Sequence, residues 1–307
     1  MDAQAFHAHQ SAPELLLSTG CLFHLPLPLI ASVGARAGFS GLDLVMGSPR
    51  IAPGPEVDAA NAILPVRVVH APFRNWSAWG GPLGAWKAAA ELAAQLGRGA
   101  PVHVTLHPPA SSGAGLRDAM QTRWFSRAVD LPRLLDAPDN VSFSLENLPW
   151  AGSGGLFARD ELSALVRECQ DKALGLTLDC CHLGISGRDI VAGLERVPLD
   201  LIRHVHFSDA DRHTEHLRPG QGLLPVGPFL RRLGGSGYTG TISLELAPCH
   251  LPDIDPLDIE DGRDEALITA LSVMRQGMRE ALDGSPPPAW AGDPGGARQG
   301  HIAAAAF

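Results

Sequence analysis

Six side chains able to ligate a metal stand at the ends of short apolar runs: His70 after VRVV, His107 after VHVTL, Glu146 after VSFSL, Asp179 after LGLTL, His206 after IRHV and Glu245 after TISL. Imidazole and carboxylate are the ligands that Zn, Fe and Mn accept, and carboxylates can bridge two ions. Brought to one place, these six would hold a centre of one to three divalent ions. Such a centre polarises a carbonyl or phosphoryl oxygen and lowers the pKa of a bound water to about 7. Singly, each has an ordinary explanation, because a His at a strand end commonly just hydrogen-bonds and a Glu there commonly pairs with Arg or caps a helix. Recurrence in six successive runs is what asks for a common centre.

Neighbouring residues add donors. Asp179-Cys180-Cys181-His182 places His182 three residues after Asp179, where the chain is expected to leave its strand as a loop. His204 shares strand alternation with His206 one layer deeper, and is expected in the core rather than on a metal. Beyond them lie Asp211, His213 and His216, followed by Gly220-Gln221-Gly222, whose glycines allow close backbone approach or a simple turn. Asp211, His213 and His216 stand there as alternative donors.

The elements that must position these residues follow from periodicity. Short β-branched or Leu-rich runs alternate with longer amphipathic runs, the pattern of parallel strands joined by crossover helices. Strands are expected at 14–20, 41–46, 66–70, 102–107, 141–146, 174–179, 202–207 and 241–246. Helices are expected at 28–37, 55–64, 83–96, 117–135, 158–172, 189–197, 226–233 and 264–282. Pro55 and Asp189 mark helix starts, and Gly38 and Gly97 mark ends. Eight such units predict the α/β class as a (β/α)8 TIM barrel, with an open doubly wound sheet as the alternative. In a barrel the C-terminal strand ends meet on one rim, which gathers residues from His70 to Glu245.

One catalytic domain is expected over 1–283, followed by a disordered Gly/Pro/Ala-rich tail over 284–307. Of 307 residues, 45% are hydrophobic and 19% charged, as in ordinary globular proteins. The net charge of −9 disfavours nucleic acid as a partner. The cysteines show no Cys-x-x-Cys spacing, so a reduced, cytoplasmic setting is expected. The start of the chain has no export signal and no run is long enough to span a bilayer, so no membrane partner is expected.

These residues resemble the xylose-isomerase-like barrel superfamily, which includes sugar isomerases, epimerases and endonuclease IV. The carriers are GFSGLDLVMG, VVHAPF, LHPP, LENLP, LDCCHLGISGRD, HVHFSD, HLRPGQG and LELAP, from about Leu15 to Leu282. The resemblance implies one Mn- or Mg-like ion on Glu146, Asp179, His206 and Glu245. Glu146 and Glu245 would also be the acid/base pair acting on a small sugar-like substrate. The endonuclease IV branch implies further zinc ions on His70, His107, His182 and an Asp-x-His pair. Counted back from Gly220, His216 takes the histidine place and Thr214 the aspartate place, so that pair is incomplete. Phe73 stands where the nucleases carry Tyr, and Asp253, Asp255, Asp258, Glu260, Asp261, Asp264 and Glu265 follow Glu245 with Arg263 as the only base. Acid there would repel a phosphate backbone, while Arg50, Arg74 and Arg117 could attract one. The reading therefore favours a metal-dependent isomerase or epimerase over an endonuclease IV-like phosphodiesterase, with a catalytically silent binding barrel as a third option.

Overall fold

The computed structural model describes residues 12–47, 54–108, 131–149 and 161–285. Eight parallel strands close into one barrel in sequence order: β1 (Glu14–Ser18), β2 (Gly41–Val45), β3 (Val66–His70), β4 (Val102–Leu106), β5 (Val141–Glu146), β6 (Gly175–Asp179), β7 (Ile202–Phe207) and β8 (Thr241–Leu244). The expected barrel is thus the observed one, and an open sheet is excluded because β1 also pairs with β8. Around it lie α1 (Leu27–Arg36), α2 (Pro55–Ile63), α3 (Pro82–Gly97), α4 (Leu131–Leu134), α5 (Glu161–Asp171), α6 (Cys180–Ile185), α7 (Ile190–Glu195), α8 (Val226–Gly235), α9 (Pro256–Glu260) and α10 (Glu265–Leu282). Most of the helix expected over 117–135 lies outside the described residues. So do Arg50, Arg117, residues 158–160 and residues 286–307 of the tail.

Strand alternation divides the side chains between two environments. Outward positions such as Leu44, Val104, Phe143, Leu178, Phe207 and Leu244 are buried in one apolar cluster with Trp86, Phe229 and Met278 from the helices. Burying each such side chain contributes about 1.5–3 kcal/mol. Inward positions carry polar groups: His103 and Thr105, Ser144 and Glu146, Thr177 and Asp179, His204 and His206, all of them buried. Barrel interiors are normally filled by branched apolar residues. Here hydrogen bonds fill that role, with His103 between Ser142 Oγ (2.8 Å) and Ser144 Oγ (2.6 Å), and Thr105 Oγ1 on Thr177 Oγ1 at 3.0 Å.

Several boundaries differ from the sequence expectation for local reasons. β1 stops at Ser18 because its side chain accepts from Gly20 N and starts a 3₁₀ turn at Thr19–Leu22. β4 and β8 end before His107 and Glu245, so these two residues project from the rim. The expected loop after β6 is the helix α6. Asp179 caps it by accepting the His182 backbone N–H, which nucleates helix at once. The acidic run after β8 folds into α9 and the start of α10, and Asp264 is buried against Arg36 rather than facing the mouth. Among the described residues no helix is long and apolar enough to cross a membrane.

Candidate metal centre

Parallel register carries the donors to one end of the barrel. Asp179 pairs with His206 across β6 and β7, and His206 with Ser243 across β7 and β8. Glu245 continues the same line, its backbone N–H bonded to Phe207 O at 3.1 Å. Ligand atoms of Glu146, Asp179, His206 and Glu245 all fall within 4.8 Å of one another. Two overlapping groups share them: His70, Glu146 and His206; and Asp179, His182 and His216.

Glu146 is the hub. Its Oε2 lies 3.1 Å from His70 Nε2 and 3.0 Å from His107 Nε2. Its Oε1 lies 3.0 Å from His206 Nδ1 and 3.2 Å from His182 Nδ1. His206 Nδ1 is also 3.0 Å from Glu245 Oε2. Asp179 splits its duties, with Oδ1 capping α6 through His182 N at 2.8 Å and Oδ2 3.3 Å from His182 Nδ1. Asn147 holds the end of β6 by accepting from Asp179 N (2.8 Å) and donating to Asp179 O (2.9 Å).

All eight expected site residues, His70, His107, Glu146, Asp179, His182, His206, His216 and Glu245, therefore sit together. Within the β7 loop it is His216 whose ring lies with Asp179 and His182. Asp211 Oδ1 is occupied by the backbone N–H groups of His213 and Thr214, both at 2.7 Å, and His213 is exposed. His216 adopts a left-handed φ of 55° that non-glycine residues rarely take. It is pinned there by its N–H to Cys181 Sγ (3.3 Å), its carbonyl to Ala247 N (3.0 Å) and Ser208 Oγ near its Nδ1 (3.2 Å). A backbone held in a sparsely populated conformation by its surroundings is common at functional sites.

Burial sets the charge balance. It works against the charged form of Glu146, yet the His206 and His107 charges outweigh it and hold this carboxyl well below its ordinary range. Burial raises Asp179. His182 is pushed up to about 10, because the Asp179 and Glu146 carboxylates overcome its burial, and His206 is raised for the same kind of reason by Glu245 and Glu146. His107, mainly through burial, falls to about 4.

The donor set fits a divalent cation. Asp179 Oδ2 and Glu245 Oε2 are buried with an imidazole nitrogen beside each, at 3.3 and 3.0 Å, but neither makes a well-formed hydrogen bond among the described residues. An ion between them would satisfy both. Phe73, where the nuclease pattern has Tyr, stacks on His107 with ring centroids 4.8 Å apart, and the Arg74 guanidinium lies over the Phe73 ring, 5.3 Å from its centroid.

Residues 34–267 match the xylose isomerase-like TIM barrel family. The chain belongs to that family. An uncharacterised Mycobacterium tuberculosis protein (strain ATCC 25618 / H37Rv) is 25% identical over 259 residues, covering 75% of this chain and 88% of the relative. The fructoselysine 3-epimerase of Escherichia coli O157:H7 is 25% identical over 132 residues, covering 42% of this chain and 47% of that protein. Among solved structures, a D-psicose 3-epimerase of Clostridium cellulolyticum H10 has a TM-score of 0.60 at 13% identity, over 88% of this chain and 99% of the other. That last likeness is one of fold.

Sequence reasoning did not single out Asp43, Asn147, Ser243 or Asp209. Asp43 had a signal available: in the strand Leu42-Asp43-Leu44, alternation turns a lone carboxylate toward the barrel axis.

Proposed function

We propose that this protein is a divalent-metal-dependent isomerase or epimerase acting on a small sugar or sugar-like molecule. The observation that supports the reading most is the convergence of Glu146, Asp179, His206 and Glu245 within 4.8 Å. Sugar epimerases among the relatives and structural neighbours agree with it. A divalent cation on these four residues would polarise a substrate carbonyl and acidify the adjacent C–H. Glu146 and Glu245 act as the acid/base pair, one taking the proton beside the carbonyl and the other returning a proton to the opposite face. Their placement matches that division, since Glu146 is enclosed by four histidines and Glu245 keeps 19% of its side chain exposed at the mouth. Fixing both carboxylates on one centre supplies the orientation such a transfer needs.

The test is proton exchange. Protein loaded with Mn or Zn in D₂O, offered D-tagatose, D-psicose and fructoselysine, should place deuterium at a carbon beside the carbonyl of at least one of them, as read by NMR. A metal-loaded protein that exchanges no proton on any ketose would contradict the reading.

A second reading, an endonuclease IV-like phosphodiesterase with several zinc ions, is favoured by one specific observation. His70 and His107 both face Glu146 Oε2, while His182 and His216 join Asp179, so donors exist for more than one cation. The exposed acids Asp253, Asp255, Glu260 and Asp261 beyond β8 oppose a nucleic-acid partner, and Arg263 is paired with Asp258 and Asp261. Nicking of abasic-site DNA by the zinc-loaded protein would establish this reading over the first.

A further inference from the structure

Behind His206, on the side away from the carboxylates, lies a residue that no part of the ligand set includes. Asp43 of β2 is fully buried, and its Oδ2 lies 3.3 Å from His206 Nε2. The same oxygen accepts from Ser243 Oγ at 3.0 Å and lies 3.4 Å from His204 Nε2. His204 is fixed in turn by Thr241, through its Oγ1 at 2.7 Å and its carbonyl at 3.1 Å from His204 Nδ1. We infer that Asp43 is a positioning residue of the metal centre: it takes the Nε2–H of His206, so that the ring presents Nδ1 to the cation shared with Glu146, Asp179 and Glu245. This rests on the functional reading above.

Three observations carry the inference. First, the two nitrogens of an imidazole point in opposite directions, and here Nδ1 faces Glu146 and Glu245 at 3.0 Å each while Nε2 faces Asp43. A ring that ligates through one nitrogen needs an acceptor for the N–H of the other, and that acceptor fixes its tautomer and rotation. Second, His206 Nε2 is buried and makes no hydrogen bond among the described residues, so Asp43 Oδ2 at 3.3 Å is the acceptor placed to take its N–H. Third, His70 shows the same division with a different acceptor, its Nε2 facing Glu146 and its Nδ1 the Ala71 carbonyl at 2.9 Å. Among the described residues no hydrogen bond to a carbonyl serves His206 Nε2.

Asp43, His204 and His206 also lie close enough to hold a cation of their own. The occupied Oδ2 and the anchored His204 favour positioning over ligation, and stoichiometry separates the two. Apo-protein is titrated with zinc alone against a chromophoric chelator, for wild type, Asp43→Ala, Asp43→Asn and Ser243→Ala. The expected result is a loss of zinc affinity of roughly 10- to 100-fold in Asp43→Ala at unchanged stoichiometry, with a smaller loss in Asp43→Asn and the least in Ser243→Ala. Imidazole ¹⁵N spectra of the zinc-loaded proteins should show a protonated Nε2 on His206 in wild type and an altered signal in Asp43→Asn. Unchanged affinity in folded Asp43→Asn together with an unmoved His206 signal overturns the inference, as does the loss of a whole zinc equivalent. If Asp43→Ala does not fold, Asp43→Asn and Ser243→Ala decide the matter. Wild type that binds no zinc at all is the failure of the functional reading itself, and is seen before any variant is measured.

Discussion

Gly222→Ala should weaken the β7 loop out of proportion to its size. The Asp209 carboxylate, buried beneath this loop, accepts four backbone N–H groups: Ala210 at 2.8 Å, Gly220 at 2.9 Å, and Gly222 and Leu224 at 3.0 Å. The loop also doubles back through paired bonds between Asp209 and Leu217, which places His216 beside Asp179 and His182. A methyl on Gly222 would run into Asp209 Oδ1 and into the Ala210 carbonyl, and backbone cannot swing aside. Lack of space, rather than an unusual φ, is what requires glycine there. At least one bond to the carboxylate must break, and each hydrogen bond to a charged group contributes about 1.5–3 kcal/mol, with overpacking costing a similar about 1–3 kcal/mol. A loss of roughly 3 kcal/mol corresponds to a fall in Tm of about 6–12 °C for a domain of this size. Thermal unfolding followed by circular dichroism gives the answer, with Gly235→Ala as control because nothing lies within 4 Å of a Cβ there. If Gly222→Ala melts within about 1 °C of wild type while Gly235→Ala behaves as expected, the clamp argument is wrong.

Other outcomes can be measured alongside it. Chelation with EDTA should lower Tm and manganese should restore it, because a ligand at 100 times its Kd adds about 2.7 kcal/mol. A Tm indifferent to both refutes this. Glu146→Gln and Glu245→Gln should each reduce deuterium exchange into substrate by about 10²-fold or more; exchange at the wild-type rate in either would remove that residue from the acid/base pair. Burial, aided by the His204 and Arg203 charges, lowers the pKa of His103 from 6.5 to about 3. The unfolded chain therefore takes up this proton first as pH falls. The stability this group contributes is full above about 6.5 and is lost toward about 3, by up to about 1.4 kcal/mol per pH unit. Urea melts from pH 6 to 4 should show a shallower slope in His103→Gln, and an unchanged slope contradicts the assignment.

The fold was legible because alternation does two jobs in each strand. In Val141–Glu146, Phe143 and Leu145 pack outward on the helices while Ser144 and Glu146 line the axis, and both sets are visible as period two. The donors were legible for the same reason, since a ligand at the end of each strand lands on a common rim. What stayed hidden depends on contacts distant in sequence. Asp43 and Ser243 meet across 200 positions, so neither points to the other in the chain. The choice of His216 over His213 is made by the Asp211 turn and the Asp209 clamp, neither of which periodicity reports. The helix after β6 was missed because the side chain that starts it, Asp179, also reads as a ligand, and it serves both roles with different oxygens.

The central claim is that residues at the ends of four strands meet on a shared cation. Anomalous diffraction from crystals soaked in manganese, recorded at the metal edge, tests it most directly. The account predicts a peak within coordination distance of Glu146, Asp179, His206 and Glu245 together, absent when Asp179 is replaced by Asn and Glu245 by Gln. Soaked crystals with no peak at that rim, or with one bound by other residues alone, would contradict it.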